Sequence, residues 1–149
     1  MLTGELGDAY VLSFGEKFDA VNLNHLKIDG RNQVASGIRV TNNFSGRNLD
    51  LRNFYSETTE VIALHFEVTS KANILLENSV IDQVKSLGNG IIGDAIGASR
   101  TIRIYWRHTD PESTICIRNN RLTRAYGDDG DVIQIAQIND IYNLSLIHI

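Results

Sequence analysis

Short stretches in which apolar and polar residues alternate recur through the middle of this chain. A period of two is typical of a β-strand with one buried face, because successive side chains point to opposite sides of a sheet. Four stretches share one form, in which an aliphatic residue, any residue, an aliphatic residue and a charged residue precede Gly or Asn. They begin 23, 25 and 41 positions apart, and we interpret them as the leading strands of a repeat: Leu26–Gly30, Leu49–Asn53, Ile74–Asn78 and Ile115–Asn119.

A second set of alternating stretches follows the first by about 12 to 18 residues. Each repeat therefore holds at least two short strands, which cannot bury their apolar sides alone, so that stacked repeats must supply the core. We predict a parallel β-helix of about four coils over residues 20–142, with adjacent strands about 4.8 Å apart and residues 1–19 as a lead-in or cap. The following strands are Gly37–Val40, Ala63–Phe66, Gly90–Ile92 and Asp131–Ile135.

The outward positions of the leading strands fit this stacking. If the four strands are in register, their charged residues alternate in sign from coil to coil, and each opposite pair stabilises the sheet by about 0.2 to 1 kcal/mol. These residues are Asp29, Arg52, Glu77 and Arg118. The next positions hold residues that tolerate the left-handed backbone of a tight corner: Gly30, Asn53, Asn78 and Asn119.

These strands and corners resemble the right-handed parallel β-helix superfamily, which includes pectate lyases, polygalacturonases and phage tailspikes. The resemblance covers about residues 20–140, and it rests on Leu26–Gly30, on the strand–Asn corners and on strands that begin with Gly and a hydrophobic residue. It implies an all-β, single-stranded solenoid and no particular activity. A sandwich of antiparallel hairpins is the competing fold, but it would need turn signals every 8 to 12 residues.

Composition limits the classes of protein that fit. The 149 residues carry a net charge of −4, which argues against a nucleic-acid partner, and no apolar run approaches the ~18 to 20 residues of a membrane-spanning helix. The single cysteine, Cys116, allows no internal disulfide, and the scattered histidines show no metal-ligand spacing. Neither the oligomeric state nor the compartment follows from these numbers.

Both ends of the chain suggest a fragment of a longer protein. No signal peptide is visible at the amino terminus, which is consistent with truncation. Residues Leu144–Ile149 match the translation of a transposon-type sequencing adaptor, and we interpret them as a non-native tail. An apolar terminal strand is the alternative. The resemblance implies an extracellular, cell-surface or virion location.

An apparent insertion near residues 98–110 is the first candidate for a binding site. The step from a following strand to the next leading strand grows there by about 13 residues, and long loops on a rigid scaffold often carry function. Guanidinium groups form bidentate hydrogen bonds with carboxylates, and an indole face suits a sugar ring, so this segment fits an acidic polysaccharide. Alternation in Thr101–Tyr105 allows an extra strand instead. The predicted substrate-binding residues are Arg103, Trp106, Arg107 and His108, together with Lys85 outside this segment.

A cluster of three carboxylates at Asp128, Asp129 and Asp131 is the candidate catalytic site. Residues i and i+2 of an extended chain lie about 6.6 Å apart, close to the ~6.5 to 9.5 Å that separate the acid and base of an inverting glycosidase. Gly127 with the next two aspartates is similar to the Gly-Asp-Asp element of polygalacturonases. The family's Asn-Thr-Asp element is missing, since Ser86–Gly90 stands there, and so are its Gly-His-Gly and Arg-x-Lys elements.

The same carboxylates fit two other roles. They would bind Ca²⁺ in a lyase, with Lys85 or an arginine of the insertion as the base that removes the proton α to a uronate carboxyl. They would also serve as ordinary turn residues, because Asp-Gly sequences favour turns whether or not they catalyse. Two functions stay open: a glycosidase or lyase acting on an acidic polysaccharide, and a non-catalytic β-helix of a tailspike or surface adhesin.

Overall fold

The computed structural model describes residues 10–91, 96–107, 112–137 and 144–147. Within these ranges the chain is all-β, and no helix is present that could cross a membrane. The strands are β1 (Tyr10–Phe14), β2 (Ala20–Asn24), β3 (Lys27–Asp29), β4 (Ser36–Val40), β5 (Asn43–Arg47), β6 (Asp50–Ser56), β7 (Val61–Val68), β8 (Asn73–Glu77), β9 (Val80–Ser86), β10 (Ala98–Trp106), β11 (Thr114–Arg118), β12 (Arg121–Tyr126), β13 (Asp129–Gln137) and β14 (Leu144–Ile147).

The strands form three parallel sheets. Sheet A has the order β1-β4-β7-β10-β13, sheet B the order β14-β11-β8-β5-β2, and sheet C the order β12-β9-β6-β3. The chain passes through B, C and A in turn, giving repeat 1 (β2–β4), repeat 2 (β5–β7), repeat 3 (β8–β10) and repeat 4 (β11–β13). Every described strand pairing is parallel, which excludes the antiparallel sandwich and is compatible with a parallel β-helix.

Aliphatic side chains in register form the core between the sheets. In sheet C, for example, Leu51 pairs with Ile28 on one side and Ile81 on the other, and Leu51 has no exposed surface. Each fully buried side chain of this size contributes about 1.5 to 3 kcal/mol. The alternation in the sequence therefore produces the fold by supplying one inward residue at every second position.

Two-residue corners join every strand of sheet B to the next strand of sheet C. The first residue of each corner has a left-handed backbone, and three of the four are asparagines, which tolerate this conformation better than most residues do. These residues are His25, Asn48, Asn78 and Asn119, with φ between 53° and 55°. By contrast, the corners from sheet C to sheet A range from two residues before β13 to eleven before β10.

The predicted alignment of the leading strands is correct in part. Leu26–Gly30 and Leu49–Asn53 run along sheet C, whereas Ile74–Asn78 and Ile115–Asn119 run along sheet B. The cause is that the same pattern occurs in both sheets: a charged residue precedes a left-handed position at the ends of β8 and β11 in sheet B and within β6 in sheet C. The equivalent of Leu51 in repeat 3 is Ile81, thirty positions later.

Because the four stretches lie in two different sheets, the predicted column of alternating charges divides into two columns. Asp29 does pair with Arg52, and Glu77 does pair with Arg118. Arg52 and Glu77 are not neighbours, because they lie in different sheets: Arg52 pairs with Asp82. The corner positions divide in the same way, with Asn53 in sheet C and Asn78 at a corner between B and C.

The predicted following strand at Gly90–Ile92 is also misplaced. Gly90 and Ile91 are not in a strand, and β10 occupies the sheet A position of repeat 3, in register with β7 and β13. The additional residues of this repeat therefore come before β10, between Ser86 and Ala98, and most of the predicted insertion is a regular strand.

Strands also occur in the two predicted end segments. β1 falls within the lead-in and pairs with β4 at one edge of sheet A, while residues 1–9 lie outside the described ranges. β14 falls within the suspected tail and pairs with β11 in sheet B. The origin of that tail stays a hypothesis.

Candidate functional site

Charged and aromatic side chains cluster on the outer face of sheet A and at the turn between β12 and β13. A central row runs in register from Arg39 through His65 and Arg103 to Gln134, between the aliphatic columns that face the core. Four arginines, four carboxylates and three rings make up what we call the sheet A cluster: Arg39, Arg100, Arg103, Arg107, Glu60, Glu67, Asp129, Asp131, Tyr10, His65 and Tyr105.

Arg100 connects several carboxylates of the cluster through its buried side chain. Its side chain is only 3% exposed, and its guanidinium donates to Asp129 Oδ2 at 2.6 Å and to the Asp129 carbonyl. Arg100 Nε lies 3.2 Å from Asp131 Oδ2 and 3.8 Å from Glu60 Oε1. A buried cation is stable only with such compensation, so this network fixes both aspartates in place.

The three predicted catalytic carboxylates therefore have two different environments. Asp129 and Asp131 face one guanidinium, and their side chains remain 31% and 41% exposed. Asp128 instead accepts a hydrogen bond from the Gly90 amide at 2.5 Å, and a Cβ atom at Gly88 would lie 2.4 Å from its Oδ1. Asp128 thus holds the segment that follows β9, while the other two carboxylates lie where a ligand could reach them.

Two arginines flank the ring of Tyr105. The guanidinium carbon of Arg103 lies 4.6 Å from the ring centroid, and that of Arg107 lies 5.3 Å away. Arg103 pairs with Glu60, while Arg107 lies 3.5 Å from Glu67 and is 44% exposed. This arrangement places cationic groups on an aromatic ring at the outer surface.

A buried tyrosine–histidine pair lies beside these arginines. Tyr10 Oη and His65 Nδ1 are 2.5 Å apart. Burial, with the nearby Arg103 as the next cause, lowers the pKa of His65 to about 4, and burial raises the pKa of Tyr10 to about 12. Both side chains are therefore neutral at neutral pH, and a single hydrogen bond joins Tyr10 Oη to His65 Nδ1.

The structure brings together only some of the predicted binding residues. Arg103 and Arg107 share the outer face of sheet A, but Trp106 is 2% exposed and belongs to the core, so its indole is not on that face. Lys85 lies on sheet C, in register with Tyr126. His108 lies outside the described residues.

Several members of the cluster were not candidates from the sequence. Glu60 lies just before β7, Glu67 lies on β7, and Tyr10 lies on β1. These residues reach the arginines only through the pairing of sheet A. His65 is recognisable from its outward strand position, although its burial is not. The useful signal is the row Arg39, His65 and Arg103, which appears once β10 is assigned to sheet A.

The other two sheets also carry arginine–carboxylate contacts. On sheet B, Glu77 lies 2.6 Å from both Arg47 and Arg118, which hold the pKa of this carboxyl below its usual range. On sheet C, hydrogen bonds from Arg124 and Thr123 lower the pKa of Asp82 to about 2. Ion pairs on the outer faces are therefore a general feature of this fold.

Within the described ranges no group of three or more His, Cys, Asp and Glu side chains is arranged to hold a metal ion. A polar concavity of about 470 Å³ lies where sheet A leads into sheet B, at the opposite end of the sheet A strands from Asp129 and Asp131. Its lining residues are Glu16, Asp19, Asn42, Asn43, Thr69, Ser70 and Lys71.

No family model matches this chain, and neither a curated protein nor a solved structure is significantly similar to it.

Proposed function

We propose that the chain is part of a right-handed parallel β-helix of about four coils, of the kind found in pectate lyases, polygalacturonases and tailspikes. The support is the constant order in which the chain passes through three parallel sheets, together with the aliphatic columns in register. A location outside the cell, on its surface or on a virion belongs to the same proposal.

We further propose that this β-helix binds an acidic polysaccharide along the outer face of sheet A. The observation that carries this proposal is the pair of guanidinium groups on the Tyr105 ring, with Arg107 half exposed. A guanidinium suits a uronate carboxylate, and a tyrosine ring offers an apolar face to a sugar together with a polar edge.

Each arginine of the face already has a protein carboxylate as a partner, which shapes the expected binding. Glu67, for example, pairs with both Arg39 and Arg107. Exposed pairs of this kind contribute little, so a uronate can share the guanidinium, but each contact adds only modest affinity. We therefore expect binding that needs several sugar residues and weakens as salt screens the charges.

The test compares two arginines in similar settings. Arg107→Ala changes sheet A and Arg118→Ala changes sheet B; their side chains are 44% and 47% exposed, and each contacts a mostly buried glutamate. In affinity electrophoresis through polygalacturonate, Arg107→Ala should weaken retention about fivefold, and Arg118→Ala should leave it unchanged. Equal retention of both variants would refute binding on sheet A.

Catalysis is the second candidate, as a glycosidase or a lyase. The observation in its favour is that Asp129 and Asp131 are partly exposed and lie together beside Arg100. Asp129→Asn should abolish release of reducing ends or of unsaturated uronate from a panel of polyuronates. Asp19→Asn, in the distant polar concavity, is the control. If the unchanged protein has no activity on the panel, the non-catalytic binding module is favoured.

The remaining alternative is a purely structural β-helix, such as the shaft of a tailspike or adhesin. Its support is that sheets B and C also carry satisfied ion pairs, for example at Glu77 and Asp82. A protein that folds but neither binds nor cleaves any acidic polysaccharide would fit this alternative.

A further inference from the structure

A column of exposed and partly exposed side chains on sheet C differs from the ion pairs elsewhere on the molecule. Tyr55, Lys85 and Tyr126 are directly in register on β6, β9 and β12. Lys85 Nζ lies 5.7 Å from the centroid of the Tyr55 ring, and Tyr126 is 50% exposed. The column therefore presents a cation between two aromatic rings.

Among the described residues, Lys85 has no acidic partner. Within the described ranges no carboxylate lies within 4.0 Å of its ammonium group, whereas Arg107, Arg118 and Arg124 each pair with an acidic residue. Two acidic side chains on or next to the same strands are already engaged. Asp82 is bound by Arg124 and Thr123, and Glu57 accepts a hydrogen bond from Tyr55 Oη at 3.0 Å.

The spacing of the two rings fits a sugar chain. Adjacent strands are about 4.8 Å apart, so Tyr55 and Tyr126, which are two strands apart, lie about 10 Å from each other. This is close to the length of two linked pyranose rings in an extended chain. A chain that crosses the strands would pack one sugar on each ring and bring an acidic group to Lys85.

The surface next to the column is also apolar and exposed. Leu87 and Ile91 follow β9 and are 45% and 58% exposed. Large apolar side chains at the surface often mark a place where another molecule binds. These two residues add no charge of their own, and the carboxylate of Asp128 beside them already accepts a hydrogen bond from the Gly90 amide.

We propose that Tyr55, Lys85 and Tyr126 form a second binding surface for an acidic polysaccharide, separate from the sheet A cluster. The rings stack on sugars, and the ammonium group pairs with a carboxylate of the chain. The proposal takes its ligand class from the proposed function but none of its residues. A nucleic acid would also stack on tyrosines, but it requires a basic surface, and this column has one cation in a protein of net charge −4.

The experiment measures binding of an oligogalacturonate by titration calorimetry, with a neutral cello-oligosaccharide as the comparison ligand. Lys85→Gln should weaken binding about tenfold, because a charge-assisted contact is lost, whereas Lys85→Arg should restore most of it. Tyr126→Ala should weaken binding about fivefold, and Tyr126→Phe should retain it because the ring remains. Both positions of change, Lys85 and Tyr126, are exposed, and thermal melts will show that the four variants are folded.

Arg121→Gln is the matched control. Arg121 is an exposed cation at the start of β12 in the same sheet, and it does not lie in the column. Arg121→Gln therefore removes the same charge as Lys85→Gln at a different place. Equal weakening by these two variants would mean that only net charge matters, and it would overturn the proposal. Unchanged binding by Lys85→Gln would also overturn it, and so would tighter binding of single-stranded nucleic acid than of the oligogalacturonate. Because Arg107→Ala tests sheet A on the same ligand, the two surfaces can fail independently.

Discussion

The outer faces of sheet A and sheet B look alike in their charges and differ in what surrounds them. On each face, two arginines share one glutamate: Glu67 on sheet A and Glu77 on sheet B. On sheet B the neighbouring side chains are small and polar, as in the hydrogen bond from Thr114 Oγ1 to Asn73 Oδ1 at 2.8 Å. On sheet A the neighbours are rings and buried polar groups.

This difference shows that arginines on a strand do not by themselves indicate a binding site. Pairing across strands at short spacing is enough to explain Arg47, Glu77 and Arg118 as stabilising contacts. Sheet A has two features that such pairing does not require, which are the buried Arg100 and the buried His65. Substitutions in the core and on each face can therefore separate the stability that the two faces share from the effects of Arg100 and His65, which are found on sheet A alone.

The largest effect is expected in the core on which both faces depend. Leu51 is fully buried between Ile28 and Ile81, so Leu51→Ala should lower the free energy of unfolding by about 2 to 5 kcal/mol through the cavity it leaves. Urea denaturation measures this change. A loss below about 0.5 kcal/mol would show that Leu51 does not face the core.

The next effect should separate the two faces. Arg100→Met removes the cation shared by Asp129, Asp131 and Glu60, and should cost about 2 to 4 kcal/mol because these carboxylates lose their compensation while keeping some contact with water. Arg47→Met on sheet B, where the arginine is 52% exposed, should give no measurable change. Similar costs for the two variants would remove the distinction between the faces.

A smaller effect is expected in the pH dependence of stability. The pKa of His65 is about 4 in the folded protein and near 6.5 in an unfolded chain, so between these values the unfolded state binds more protons. Stability should therefore fall by roughly 2 to 3 kcal/mol as the pH decreases from 6.5 to 4, and the loss from this group should level off once the pH has passed below the folded-state pKa.

The matched variants for this pH effect are His65→Asn and His25→Asn, followed by urea denaturation at several pH values. His65→Asn should flatten the dependence between pH 4 and 6.5. His25 is exposed at a corner where other repeats have asparagine, so His25→Asn should leave the slope unchanged. A slope that persists in His65→Asn would assign the titration to another group.

The fold was more predictable from the sequence than the neighbours of each strand. Alternation identifies strands and their inward faces, because burial depends on local spacing. It does not distinguish sheet B from sheet C, because a left-handed asparagine follows β8 of sheet B at Asn78 and another lies within β6 of sheet C at Asn53. Leu49–Asn53 and Ile74–Asn78 therefore look equivalent although they belong to different sheets.

The same limitation affected the candidate site. Once β10 is known to be a regular strand, Trp106 continues the inward series of Ile102 and Ile104, and its burial follows. The separation of Asp128 from the other aspartates depends on the segment before β10, which alternation does not describe. The carboxylate cluster was predictable because its residues are close in the sequence. Its contact with Arg100 was not, because that contact depends on the register between β10 and β13.

The unequal lengths of the corners have a consequence for how this scaffold can change. Corners between sheets B and C are always two residues long, whereas those between sheets C and A accept anything from two to eleven without disturbing the ladders on either side. Segments of foreign sequence should therefore be tolerated at the second kind of corner and rejected at the first. An engineer who wished to graft a peptide onto this protein would place it after β6 or β9.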